Sequence, residues 1–211
     1  MKQNSEDNSQ QGIPASKPGR LVFASNNAHK LREIRSILGS SWEVLSLEDI
    51  GCHEELPETS DTIAGNALQK ARRVHELFGC TCFADDTGLM VDALGGAPGV
   101  YTARYAGEAC SPDDNIALML RNMAGESNRA ARFATVIALI DDDGEHLFEG
   151  EVKGSIAYRR HGDGGFGYDP IFIPDETGIS FAEMSPEDKN RISHRGRATR
   201  RLAAYLLGEK K

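Results

Sequence analysis

The chain has 211 residues, with 24 Lys and Arg against 32 Asp and Glu, a formal charge of −8. Charged residues at 27% and hydrophobic ones at 39% fit a globular protein rather than a disordered one, and no apolar run approaches the ~18 residues a membrane helix needs. A pI near 5.3 argues against binding polymeric nucleic acid, whose footprint is basic, but it allows a locally basic site for a small anion.

Residues 1–19 carry only Met1, Ile13 and Ala15 as apolar side chains. Such a segment cannot bury enough surface to offset its ordering entropy, so a disordered tail is expected there. It lacks the apolar stretch of a signal peptide. Residues 20–211 read as one folded domain. Leu21-Val22-Phe23-Ala24 has strand length, Ser25 to Lys30 is polar and turn-like, and Leu31, Ile34, Ile37 and Leu38 recur at helical spacing. Trp42 to Leu45 predicts a second strand. Ile63, Ala67, Ala71, Val74 and Phe78 predict a helix of about four turns. Cys82-Phe83-Ala84 predicts a third strand that ends on Asp85-Asp86 and leads into a glycine-rich stretch reaching Gly99. Ser111-Pro112-Asp113-Asp114 is a capped helix start.

In the second half, Arg132 to Ile140 predicts a long strand. An Asp143-Gly144 turn returns it through Leu147 to Val152. Pro170 to Ile173 predicts another short strand, Ser185-Pro186-Glu187-Asp188 a further capped helix start, and Leu202, Tyr205 and Leu206 a closing helix. The expected class is α/β with a mixed sheet. Cys52, Cys80, Cys82 and Cys110 lack zinc spacing and a secretory context, so they read as reduced, buried thiols of a cytoplasmic protein.

Four features are candidates for chemistry. The Ser25–Lys30 loop opens a helix, where free backbone N–H groups and Lys30 suit a phosphate, unless Asn27 simply caps the helix. It is not a Walker loop, which needs a glycine-rich run ending in Lys-Ser or Lys-Thr. Asp85-Asp86 stands at an expected strand end, where α/β sheets place ligands. Two adjacent carboxylates repel, so a nearby Mg²⁺ would relieve them. Glu58 lies in a loop before the long helix. Lys189, His194 and Arg195 form a basic cluster that either binds ligand or continues a solvated face with Arg197, Arg200 and Arg201. Gly162-x-Gly164-x-x-Gly167 imitates a dinucleotide fingerprint, but Pro170 disfavours the helix that motif must open.

Taken together these motifs resemble one family. The loop Ser25-Asn26-Asn27-Ala28-His29-Lys30 matches its opening motif. Ala84-Asp85-Asp86-Thr87-Gly88-Leu89 and the run from Val91 to Tyr105 match its long central one. Gly164-Gly165-Phe166-Gly167-Tyr168-Asp169-Pro170 and Ile192-Ser193-His194-Arg195-Gly196 follow in the same order. The chain from Arg20 to about Leu207 thus resembles the inosine triphosphate pyrophosphatase family, which acts on noncanonical purine nucleoside triphosphates.

The resemblance implies hydrolysis of ITP, XTP, dITP and dXTP to the monophosphate and pyrophosphate with Mg²⁺. It also implies a homodimer and a two-lobed α/β fold, with an elongated mixed sheet, helices around it and a cleft between the lobes. Ser25, Asn26, Asn27, Ala28, His29 and Lys30 would then hold phosphates. Glu58 and Asp86 would bind the metal, with Asp86 also taking the water's proton. Thr87 would contact substrate, and Phe166, Gly167, Tyr168, Asp169, Lys189, His194 and Arg195 would hold the nucleoside. Arg195, a fork of donors, would read the 6-oxo edge of the purine. Thr87 replaces a Ser frequent in the family and keeps the hydroxyl. Gly65 stands where many relatives carry Glu, which would weaken metal binding if that carboxylate assists. A Maf-like pyrophosphatase with another base preference and a non-catalytic nucleotide sensor are the alternatives.

Overall fold

The computed structural model describes residues 19–208. Residues 1–18 of the expected tail lie outside the described residues, and Gly19 opens the first strand. The strands are β1 (Gly19–Phe23), β2 (Trp42–Leu45), β3 (Cys82–Val91), β4 (Pro98–Gly99), β5 (Ala130–Asp141), β6 (Gly144–Ile156) and β7 (Phe172–Pro174). The helices are α1 (Ala28–Leu38), α2 (Ile63–Phe78), α3 (Pro112–Asn122), α4 (Pro186–Ile192) and α5 (His194–Leu206). All strands join one mixed sheet in the order β2-β1-β3-β5-β6-β7, with β4 paired to the distal part of β3. β1 runs parallel to β2 and β3, and the remaining pairs are antiparallel.

Three apolar cores pack along the shared long strands. On one face α2 sets Ala67, Ala71 and Val74 against Val22, Ala24, Cys82 and Ala84. On the other, α1 and α5 set Ile34 and Leu202 against Leu21, Phe23, Phe83 and Ile137. Further along, α3 sets Ile116 and Met119 against Leu89, Val91, Phe133, Val152 and Ile156. α2 begins at the Thr62 cap, and α3 at a reciprocal Ser111–Asp114 capping box. α5 lies close on β6 because position 150 is glycine. A Cβ there would collide with the His194 carbonyl of α5.

Two expected boundaries move. β3 does not end at Asp85-Asp86. Thr87 to Val91 stay paired with Thr135 to Ala131 of β5, so the strand continues for five more residues. The parallel neighbour β1 pairs only as far as Phe23, opposite Phe83. The two acids are therefore mid-strand, yet just beyond the carboxyl end of β1, where ligand crevices open in parallel sheets. β7 begins at Phe172, because Asp169-Pro170-Ile171 forms a tight 3₁₀ turn. Among the described residues no helix is long and apolar enough to cross a membrane. The four thiols are free, and burial pushes Cys82 up to about 12.

Candidate active site

Successive side chains of a strand point to opposite faces, and that alternation divides the two acids of β3. Phe83, Asp85 and Thr87 face α1 and α5, whereas Ala84 and Asp86 face α2. The expectation that adjacent carboxylates crowd one cation is thereby corrected. Asp85 is fully buried and accepts from Lys30 Nζ at 2.9 Å and from Arg195 Nε at 2.9 Å. Burial opposes its ionisation, but the Lys30 ammonium and Arg195 guanidinium outweigh that and hold the carboxyl well below the usual range.

From Asp85 a line of alternating charges runs across the α1/α5 side. Arg195 also donates through Nη1 to Glu33 Oε2 at 2.7 Å and through Nη2 to Thr87 Oγ1 at 3.1 Å. Lys189 Nζ joins Glu33 Oε1 at 2.8 Å to Asp169 Oδ2 at 2.6 Å, and Asp169 Oδ2 also accepts from Phe166 N at 2.8 Å. Lys189 and Arg195 are buried, so the basic cluster is not a solvated face. Arg195 stands at the cavity wall, but three of its donors serve Glu33, Asp85 and Thr87 rather than an open fork.

The α2 side holds the second group. Asp86 Oδ2 accepts from Asn66 Nδ2 at 3.2 Å, and its Oδ1 lies 3.8 Å from Lys70 Nζ. Lys70 also donates to Glu58 Oε1, and Glu58 Oε2 lies 3.8 Å from Arg104. Glu58 and Asp86 thus converge on one ammonium. Burial raises the Asp86 carboxyl above its usual range, against the pull of Lys70 and Lys30, and the Glu58 charge adds to the rise. Two carboxylates with hard oxygen donors could hold a hard divalent cation that takes its other ligands from phosphate and water. Among the described residues no group of three or more His, Cys, Asp or Glu could hold a metal. Position 65 adds no carboxylate. Gly65 N donates to the Thr62 cap at 3.0 Å, and a Cβ there would collide with the Ser60 side chain.

Between these groups lies a cavity of about 540 Å³. It is lined by Ser25, Asn26, Asn27, His29, Lys30, Glu58, Asp86, Thr87, Phe166, Gly167, Tyr168, Asp169, Lys189, His194 and Arg195. Of the expected site residues only Ala28, the first residue of α1, does not line it. In the loop, Asn27 does cap α1, for its Oδ1 accepts from His29 N at 3.0 Å and Lys30 N at 3.1 Å. Those two amides are thus engaged by the cap. The loop offers a ligand chiefly the Lys30 charge and its polar side chains.

The aromatic wall is unequal. Phe166 stacks on His29 with centroids 5.2 Å apart and lies 4.6 Å from Lys189 Nζ. Tyr168 is buried in the distal core, its hydroxyl donating to Thr102 O at 3.1 Å. His194 stacks on Phe133 at 4.6 Å. Burial first, then Arg195 and Lys189, lower its pKa well below that of free histidine, so the ring is neutral. Its buried Nδ1 has no hydrogen-bond partner among the described residues.

Sequence reading missed Glu33, Asn66, Lys70, Arg104 and Thr135. A signal for three of them exists. Asn66 and Lys70 are four apart and interrupt the apolar stripe of α2, in which both are buried. Glu33 follows Lys30 by one helical turn.

Comparison with known proteins accords with this geometry. The model of the Ham1 family matches residues 21–205. The dITP/XTP pyrophosphatase of Porphyromonas gingivalis is 54% identical over 189 residues, 89% of this chain and 97% of that protein. That of Flavobacterium psychrophilum is 52% identical, over 89% of this chain and 98% of its own. The Ham1 protein of Staphylococcus aureus superposes with a TM-score of 0.82 at 38% identity, covering 90% of this chain and all of the other. A structure titled nucleoside-triphosphatase / dITP/XTP pyrophosphatase, from Mycobacterium abscessus, superposes at 0.70 and 43% identity, over 89% of this chain and 98% of its own. With its fold and nearly its whole length matched, the chain belongs to the Ham1 family.

Proposed function

We propose that this protein is a hydrolase that cleaves dITP, XTP, ITP and dXTP to the nucleoside monophosphate and pyrophosphate. The observation that carries the reading is one cavity lined both by the buried Asp86 with Lys30 and Lys70 and by the Phe166–Lys189–His194 wall. The dITP/XTP pyrophosphatase name borne by relatives above 50% identity supports the same substrates.

In this reading the triphosphate lies against Lys30 and the Ser25–Lys30 loop, and the purine lies toward Phe166. A water beside Asp86 attacks the α-phosphorus. The water oxygen bonds to phosphorus, and its proton passes to an Asp86 carboxylate oxygen. The bond from the α-phosphorus to the bridging oxygen breaks, and its electron pair leaves with pyrophosphate. Lys30 offsets the charge that develops on the phosphates. Glu58 and Asp86 would hold Mg²⁺, which when bound neutralises phosphate charge. His194 lines the cavity on the Phe166 wall, its neutral ring keeping a buried Nδ1 that has no partner among the described residues. The active form in this reading is a homodimer, with residues 20–211 one two-lobed catalytic domain in the cytoplasm.

The test is pyrophosphate release from dITP, XTP, dATP and dGTP with and without Mg²⁺. The reading requires metal-dependent release, fastest from dITP and XTP. Equal rates on all four, or release of orthophosphate alone, would exclude it.

A further inference from the structure

Thr135 is fully buried in β5, directly opposite Thr87 of β3, and its hydroxyl lies 2.7 Å from Thr87 Oγ1. Thr87 is half-buried, lines the cavity, and accepts from Arg195 Nη2 at 3.1 Å. A threonine hydroxyl has one proton and two lone pairs. Among the described residues the Thr135 hydroxyl has no partner but Thr87.

If Thr87 donated to Thr135, the Thr135 proton would be buried without an acceptor, the costlier way to leave a polar group. Thr135 therefore donates and Thr87 accepts. With Arg195 and Thr135 filling both lone pairs of Thr87, its single proton can only go to the cavity. We infer that Thr135 is a positioning residue: with Arg195 it fixes Thr87 as a hydrogen-bond donor to an anionic oxygen of the substrate. This rests on the proposed triphosphate hydrolysis. It assigns a task to a side chain that does not line the cavity and cannot touch substrate.

The experiment compares Thr135→Val, Thr135→Ser and the same changes made together with Thr87→Val, on dITP turnover and melting temperature. Wild-type turnover tests the proposed activity alone. Given that turnover, Thr135→Val is expected to lower kcat/KM about fivefold to tenfold, the ordinary worth of one or two hydrogen bonds. Thr135→Ser is expected to stay within about twofold. In the Thr87→Val protein, Thr135→Val should cause no further loss, because the hydroxyl it orients is gone. An unchanged kcat/KM in Thr135→Val would overturn the inference. So would the same loss in both backgrounds, which marks a packing role. Should Thr135→Val not fold, Thr135→Ala and Thr135→Ser repeat the comparison, and turnover by Ala equal to Ser would likewise overturn it.

Discussion

Asp85→Asn and Asp86→Asn change adjacent residues by the same atoms, yet the structure assigns them opposite outcomes. Asp85 is fully buried and holds two cations, Lys30 and Arg195, each at 2.9 Å. An amide leaves Lys30 without its anion and Arg195 with Glu33 alone. Removing one partner of a buried ion pair costs about 3–5 kcal/mol, against a total stability of roughly 5–15 kcal/mol. For a domain of this size each kcal/mol shifts the melting point by ~2–4 °C, so a fall of about 6–20 °C is expected. The sign with pH follows from the depressed native pKa. The stabilisation is present above the unfolded value of ~3.9 and is lost as pH falls through the native one. The gap between wild type and variant should therefore narrow on acidification. Asp86, held above its usual range by burial, contributes no such stabilisation. Asp86→Asn should abolish turnover and leave the melting point within a few degrees. Thermal unfolding at pH 7 and pH 3, the latter inside the window below the unfolded carboxylate value, with pyrophosphate release at pH 7, decides the matter. An Asp85→Asn protein that melts within about 2 °C of wild type would refute the reasoning.

Lys70→Met removes the ammonium that lowers the Asp86 pKa, so the acid limb of the kcat/KM profile should move to higher pH; an unmoved limb would separate Lys70 from Asp86. Arg195→Lys keeps the charge but not the three directed donors. It should lower kcat/KM for ITP and ATP by similar factors, and a loss confined to ITP would show that Arg195 reads the base. His194 is held neutral, with its pKa well below the unfolded value of ~6.5. Its share of stability is lost as pH falls below that value. Replacing it with Phe should flatten the urea stability profile there, and an unchanged slope would contradict the buried neutral ring.

Local patterns were legible because local physics determines them. The caps at Asn27, Ser111 and Ser185, the apolar stripe of α2 and the β5–β6 hairpin all follow from neighbours in sequence. That the expected residues are neighbours was legible, since nearly all of them line one cavity. What those residues do to each other was not. Thr87 to Val91 read as part of a glycine-rich loop, because the partner that keeps them extended is β5, about 45 residues away. That misreading placed two acids on one strand end, where the pleat sends them to opposite faces. Glu33, which joins Lys189 and Arg195, lies more than 150 residues from either partner. Contacts of that range leave no trace in the spacing of a single sequence.

Hydrolysis of dITP in ¹⁸O-labelled water tests the central claim most directly, because the label records which phosphorus the water attacks. Attack on the α-phosphorus, with Asp86 taking the proton, predicts one ¹⁸O atom in dIMP, unlabelled pyrophosphate, and neither product from Asp86→Asn. Label in pyrophosphate or orthophosphate, or undiminished turnover by Asp86→Asn, would contradict it.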